Sequence, residues 1–298
     1  MNKIKLVNRF TLCFFVVALL SELLPWAFPI LYDMPFVLSS FILSAVIYIF
    51  PMVLYFVFTK ENIRDTLSLY PISFWNIILV SVFAFAIQPI MSFLSLVFSF
   101  YFPNLVEESM SSLYTLGFLP LLIVTAIFPA LFEEFFARGI LLSGYFALGT
   151  KQAIFYSALL FGLMHMNPQQ VPYAFCVGIF FAYFVRKTGS ILASIIPHFI
   201  INGTTVMIVS LAPPLEEATT TVIGDYELFL YWGSVALLSL PFVTYLLYKI
   251  SKINVDNPYK KSVVIYQNAK FLTWEMWLVL LIFIVFGVIP YLPFWSNL

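Results

Sequence analysis

Nine apolar stretches, each close to the length that crosses a lipid bilayer, follow one another along this chain of 298 residues. A spanning helix needs roughly 20 predominantly apolar residues, and a helix gives every backbone polar group a partner in lipid. The stretches cover residues 10–31, 35–59, 74–101, 117–144, 151–167, 171–186, 190–211, 227–249 and 271–294. We therefore predict an all-α fold: a polytopic transmembrane helical bundle of eight or nine spans, several of them kinked by proline, forming a single membrane domain over residues 1–298.

The composition points to the same class of protein. Hydrophobic residues make up 62% of the chain and charged residues only 9%, whereas soluble proteins average about 25% charged residues. The formal net charge is zero, so the lipid bilayer is an expected partner and nucleic acid is not. The apolar N-terminal stretch lacks a clear small-residue cleavage site, and we interpret it as the first span and not as a signal peptide. The oligomeric state stays open.

The positions of the basic residues predict the orientation. If nine spans alternate in direction, every Lys and Arg except Arg138 falls on the same side of the membrane. The loops on the opposite side contain acidic residues but no Lys or Arg. Basic loops face the cytosol, which predicts a multi-pass plasma membrane protein with its N-terminus in the cytosol and its C-terminus outside. The basic residues are Lys3, Lys5, Arg9, Lys60, Arg64, Lys151, Arg186, Lys187, Lys249, Lys252, Lys260, Lys261 and Lys270. The mixed segment 60–73 is predicted to be either an amphipathic piece at the membrane surface or a plain cytosolic loop.

Three ionisable side chains interrupt the fourth apolar stretch. Glu134 and Arg138 are four residues apart and share a helix face, while Glu133 points about 100° away from Glu134. One carboxylate can therefore pair with Arg138 while the other meets a different partner and acts as a general base. Ionisable groups at membrane depth are costly and usually face a bundle interior or a water-filled cavity. A purely structural ion pair is the alternative.

The chain has two histidines, His165 and His198, and both lie in apolar stretches. Asn202 follows His198 by four residues on the same predicted face. From the cytosolic ends, the two glutamates, the two histidines and Asn202 lie at depths of roughly 12–21 Å, so one shared site is possible. Each histidine could instead be an interhelical hydrogen-bonding residue.

These residue types suit peptide hydrolysis. Glutamate can activate water, histidine can move a proton, and asparagine can donate to an oxyanion. Glu133, His165 and His198 could alternatively bind a divalent metal such as zinc, although the His-Glu-x-x-His signature of soluble zinc proteases is absent. The sequence leaves both a metal-dependent and a metal-free glutamate mechanism open, and it predicts no other cofactor.

The ordered motifs Glu133-Glu134-x-x-x-Arg138, Phe161-x-x-x-His165 and His198-x-x-x-Asn202 resemble the CPBP family, which comprises CAAX prenyl endopeptidases and bacteriocin-processing (Abi) proteins. The resemblance covers about 117–210, the predicted catalytic core, and implies an intramembrane endopeptidase whose cavity opens toward the cytosol. By resemblance, Glu133 activates the water with support from Glu134 and Arg138. His165 then acts as base or proton shuttle, and His198 and Asn202 stabilise the oxyanion.

The resemblance also indicates the substrate class and one alternative. Eukaryotic members cleave prenylated C-terminal tails, whereas bacterial members need no prenylated substrate, so the expected substrate is a membrane-associated or lipidated peptide. Some bacterial members are linked to bacteriocin maturation or self-immunity, and others are non-proteolytic scaffolds. A non-catalytic scaffold, regulator or immunity protein is therefore the alternative function.

Overall fold

The computed structural model describes residues 3–102, 116–211, 225–253 and 270–295, and these ranges contain helices but no strand. The prediction of an all-α membrane bundle is confirmed. Within the described ranges we number the long helices α1 Lys3–Ser21, α2 Phe36–Thr59, α3 Phe74–Ser99, α4 Phe118–Leu148, α5 Thr150–Leu163, α6 Val171–Thr188, α7 Leu192–Leu211, α8 Asp225–Ser251 and α9 Trp274–Tyr291. Lys260, Lys261 and the predicted acidic loops within 103–115 and 212–224 lie outside the described residues.

Seven of these helices are long and apolar enough to cross a membrane. The other two are α5 and α6, with 14 and 18 residues. Fourteen helical residues extend about 21 Å, which is shorter than the roughly 30 Å hydrocarbon core. The two helices pack closely against each other, since a side chain added at Gly178 of α6 would meet the backbone of Ala158 in α5 at 3.0 Å. A count of about nine spans is consistent with this bundle.

Two predicted boundaries are wrong. The first span begins at Lys3 and ends at Ser21, and the remainder of the predicted stretch 10–31 forms two short helices, Leu24–Ala27 and Ile30–Asp33. Prolines in this remainder lack the backbone N–H that a continuing helix requires. The fifth helix ends at Leu163 and not at residue 167, so the turn that follows it carries His165.

Proline and widened turns shape several spans. Pro89, Pro197 and Pro241 lie inside α3, α7 and α8. Wider π-helical turns occupy Ala45–Ile49 in α2, Ile123–Ile127 and Phe135–Leu141 in α4, and Phe283–Val288 in α9. Such turns redirect side chains and often occur at functional sites.

Two buried clusters of apolar side chains hold the bundle together. One joins α1, α2, α4, α5, α6 and α9, and the other joins α3, α6, α7 and α8. Because α6 contributes to both clusters, it lies at the centre of the described bundle. The helices that carry the predicted site, α4 to α7, are consecutive in sequence and meet around α6.

The segment 60–73, predicted to be either an amphipathic piece at the membrane surface or a plain cytosolic loop, packs partly into the bundle. It contains the short helix Ile63–Thr66, and Leu67 and Ser68 that follow are buried. Leu67 packs against Gly139 of α4, where no larger residue fits without a shift, and the Ser68 carbonyl accepts a hydrogen bond from the Ile191 N–H at 3.0 Å. The segment is therefore a packed part of the bundle, next to the start of α7.

Candidate active site

An ion pair in the interior of the bundle forms the base of the site. Arg138 Nη1 donates to Glu134 Oε1 at 2.9 Å, and Nη2 donates to the backbone carbonyl of Gly178 at 3.2 Å. The guanidinium lies 4.0 Å from the centre of the Phe161 ring, within the range of a cation–π contact. The exposed fractions of the two side chains are 1% for Arg138 and 0% for Glu134. Arg138 lies in the widened turn Phe135–Leu141 of α4. Its contacts with Phe161 and Gly178 connect α4 to α5 and α6.

His198 attaches α7 to this ion pair. Its Nδ1 lies 2.8 Å from Glu134 Oε1, and the rings of Phe161 and Phe181 lie at 5.9 Å from the imidazole, centre to centre. A carboxylate only accepts hydrogen bonds, so the hydrogen of the neutral imidazole resides on Nδ1. Its Nε2 then faces Glu133 without that hydrogen.

His165 reaches the site from the turn after α5. Its Nδ1 lies 2.8 Å from the carbonyl oxygen of Phe161, which again requires the hydrogen on Nδ1 because a carbonyl only accepts. The chain then bends at Met166, whose φ of 50° lies in the left-handed region. Nε2 of His165 is directed at Glu133, so both histidines present the same ring atom to the same carboxylate.

Glu133 is the carboxylate on which the two histidines converge. Its Oε2 lies 3.9 Å from His165 Nε2 and 4.0 Å from His198 Nε2. These separations exceed a direct hydrogen bond, and Oε2 is buried without a hydrogen-bond partner. The geometry leaves a carboxylate oxygen without a hydrogen-bond partner between two imidazoles.

Asn202 is the one predicted site residue that is not drawn into this cluster. It lies one turn beyond His198 on α7, as the sequence predicts, but its amide Nδ2 donates to the backbone carbonyl of Thr125 in α4 at 3.0 Å. That bond connects α7 to the widened turn Ile123–Ile127 of α4. A second amide hydrogen stays available for other acceptors.

The donor set does not fit a metal as it stands. Within the four described ranges, no three His, Cys, Asp or Glu side chains are arranged to hold a metal ion. Ligand atoms around tetrahedral zinc lie about 3.3 Å from one another, whereas the Glu133 oxygen is 3.9 and 4.0 Å from the nitrogens of His165 and His198.

Two contributors to the site escape the sequence motifs. Gly178 acts through its backbone carbonyl, which leaves no side-chain pattern to detect. Tyr48 of α2 packs its ring on that of Phe132, the residue before Glu133, with centroids 6.2 Å apart. A lone tyrosine in an apolar stretch is a weak signal, because its ring alone accounts for its presence there.

A family comparison agrees with the motifs. Residues 115–204 match the family model described as type II CAAX prenyl endopeptidase Rce1-like, and this range contains Glu133, Glu134, Arg138, both histidines and Asn202. No curated protein and no solved structure matches the chain. The resemblance predicted from the sequence is confirmed over residues 115–204, where this multi-pass membrane protein is similar to the CAAX proteases of the CPBP family.

Proposed function

We propose that this chain is an intramembrane endopeptidase that hydrolyses a peptide bond of a membrane-associated or lipidated peptide. One observation carries the proposal: the buried, unbonded Oε2 of Glu133 is faced by Nε2 of His165 and of His198 at 3.9 and 4.0 Å. A structural ion pair has no need of this second carboxylate, because Glu134 already satisfies Arg138. The family match supports the same reaction class.

The 3.9 Å between Glu133 Oε2 and His165 Nε2 suits a water molecule that donates one hydrogen to each of these two acceptors. Two hydrogen bonds of about 2.8 Å that meet at roughly a right angle span about 4 Å. In the proposed reaction, Glu133 takes one proton from this water as its oxygen bonds to the peptide carbonyl carbon. The C–N bond then breaks, and the proton passes to the departing nitrogen, either from Glu133 directly or through His165. The products are a carboxylic acid and an amine.

Stabilisation of the oxyanion falls to α7. His198 can donate to an oxyanion when Nε2 also carries a proton, and Glu134 lies 2.8 Å from its other nitrogen to balance that charge. The free amide hydrogen of Asn202 is the second candidate donor. Such donors act strongly where water is excluded, and His198 is 6% exposed in the described part of the bundle.

The metal-free, glutamate-type mechanism is the one we favour over a metalloprotease mechanism. It needs only the water and the side chains already described, and the donor atoms are spaced more widely than zinc ligands.

We further propose that the N-terminus faces the cytosol of a plasma membrane protein and the C-terminus faces outside. Lys3 of α1 forms an ion pair with Glu61 beyond the end of α2 at 3.0 Å, and Arg9 of α1 forms one with Glu275 at the start of α9 at 3.2 Å. These contacts place the start of α1 beside the end of α2 and the start of α9, which supports the prediction that the basic residues near these ends lie on one side of the membrane.

A cleavage assay with matched variants tests the proposal. Purified protein would be given lipidated and unlipidated candidate peptides, and products would be identified by mass spectrometry. Glu133→Gln keeps the size of the side chain but removes the basic oxygen, so we expect it to fold normally and to abolish cleavage.

Glu134→Gln is the comparison that separates the two glutamates. An active Glu133→Gln protein beside a folded but inert Glu134→Gln protein would transfer the role of base to Glu134. If the folded wild-type chain cleaves no peptide, and neither substitution changes its biological output, the scaffold or immunity function replaces the endopeptidase.

A further inference from the structure

The chain between α5 and α6 turns inside the membrane. The charged Lys151 places the start of α5 at the membrane surface, and the helix ends at Leu163 after about 21 Å, short of the roughly 30 Å hydrocarbon core. Backbone that is not helical is tolerated at such depth only where it is buried in protein or lines a water-filled cavity. Residues 164–170, which we call the α5–α6 turn, carry His165, so the contacts that cover this turn also fix the position of that histidine.

Two amide side chains of the α5–α6 turn, Asn167 and Gln169, are only 6% and 2% exposed. Gln169 Nε2 donates to the carbonyl oxygen of Ser95 in α3 at 3.1 Å and to the Ser95 hydroxyl at 2.5 Å. Asn167 Oδ1 accepts hydrogen bonds from the Tyr291 hydroxyl and from the Gln169 N–H, each at 3.0 Å. One amide therefore attaches the turn to α3, and the other attaches it to the end of α9.

Helix α9 also packs directly on the backbone of the α5–α6 turn. A side chain added at Gly287 would lie 3.2 Å from the carbonyl oxygen of Met166. Met166, the residue after His165, has a φ of 50°, and a residue other than glycine stays in this left-handed region only where surrounding contacts maintain it. The conformation that directs His165 at Glu133 thus depends on contacts from α3 and α9.

We propose that Gln169 is a positioning residue for His165: its amide fixes the α5–α6 turn to Ser95, and the turn then holds His165 Nε2 at 3.9 Å from Glu133 Oε2. This inference rests on the proposed endopeptidase function. It gives a part in the site to α3, a helix that lies outside residues 115–204, the range of the family match. Gln169 lies four residues after His165 and acts through it.

Gln169→Met is the deciding variant, because it keeps the length of the side chain and removes both hydrogen-bond donors. A misplacement of about 1 Å at a catalytic group can cost about 100-fold in rate, so we expect kcat to fall roughly ten- to hundredfold. KM should stay within about twofold of the wild-type value, since a fall in kcat alone reports an interaction that matters in the transition state and not in substrate binding.

Gln88→Met is the matched control. Gln88 lies in α3 and donates through Nε2 to the Ala84 carbonyl of its own helix at 3.2 Å, so this variant loses the same amide without releasing the α5–α6 turn. It should keep the wild-type kcat and KM. If Gln169→Met does not fold, Ser95→Ala takes its place. Its control is Ser99→Ala, because the Ser99 hydroxyl donates to the Leu96 carbonyl within α3 at 2.7 Å.

Imidazole nitrogen NMR supplies a readout that does not depend on cleavage. The chain contains two histidines, so histidine-labelled protein gives two sets of imidazole signals, which His165→Ala assigns. Gln169→Met should shift the signals of His165 and leave those of His198 in place, whereas Gln88→Met should shift neither set.

Each outcome of these measurements has a distinct meaning. A folded Gln169→Met protein with wild-type kcat, or with His165 signals at their wild-type positions, would overturn the positioning role and leave the endopeptidase standing. An equal loss of kcat in Gln169→Met and Gln88→Met would overturn it as well. If the folded wild type cleaves no peptide, the proposed function fails, while a shift confined to the His165 signals would still show that Gln169 positions this histidine.

Discussion

Replacing Arg138 by methionine should destabilise the protein strongly, and a second substitution should restore most of the loss. Arg138 is 1% exposed and Glu134 is 0% exposed, and their charges are 2.9 Å apart. Removing one partner of a buried pair leaves the other charge uncompensated and costs about 3–5 kcal/mol. The cation–π contact with Phe161, at 4.0 Å, is lost in the same step.

The double variant Arg138→Met, Glu134→Gln should lie within about 1–2 kcal/mol of the wild type, because neutral side chains of similar size often replace a buried ion pair at little cost. Its cleavage activity should nevertheless stay low, since His198 loses the carboxylate that faces its Nδ1. Stability and activity should therefore separate in this pair of variants.

Reversible unfolding in mixed detergent micelles measures these free energies. Lys3→Met is the control, because Lys3 and Glu61 are 33% and 25% exposed, and such pairs contribute about 0–1 kcal/mol. The reasoning is refuted if Arg138→Met is no less stable than Lys3→Met, or if the double variant is less stable than the single one.

Four further outcomes are expected. Chelator treatment should leave peptide cleavage unchanged; a loss of cleavage that zinc restores would contradict the metal-free mechanism. Gly178→Ala should cost about 1–3 kcal/mol of stability, because the new methyl group would lie 3.0 Å from the Cα of Ala158 in α5. Thermal unfolding measures this loss, and an unchanged midpoint would contradict the tight contact between the two helices. Tyr291→Phe removes the hydrogen bond from the Tyr291 hydroxyl to Asn167 Oδ1 at 3.0 Å. Asn167 lies in the turn that carries His165, so the variant should lower kcat severalfold. A wild-type kcat would show that this bond does not support the site. Reporter fusions after Lys60 and Lys187 should both read cytosolic, and an external signal at Lys187 would break the predicted orientation.

Much of the fold could be predicted because membrane helices are encoded locally. A run of apolar residues of sufficient length has one favourable state in lipid, the helix, so the all-α bundle and most span positions follow from the chain alone. Two boundaries were predicted wrongly: the first span ends at Ser21, before a stretch that contains prolines, and α5 ends at Leu163, before a turn that contains His165, Asn167 and Pro168.

The candidate site was predictable in its residue types and only partly in its geometry. The contact of Glu134 with Arg138 follows from the helical period, because residues four apart share a face. The approach of both histidines to Glu133 was inferred from similar depth and from family resemblance. The catalytic roles of all six residues stay predictions until the variants are assayed.

The chain alone specifies which segments are apolar enough to span a membrane and which polar side chains they carry. The packing of the helices specifies which histidine nitrogen faces which glutamate oxygen. The contacts of the site join residues far apart along the chain: the Gly178 carbonyl bonds to Arg138 across 40 residues, and His198 meets Glu134 across 64. Tyr48 of the second span packs on Phe132, the residue before Glu133. Such contacts depend on how whole helices pack, and local sequence patterns do not encode that packing.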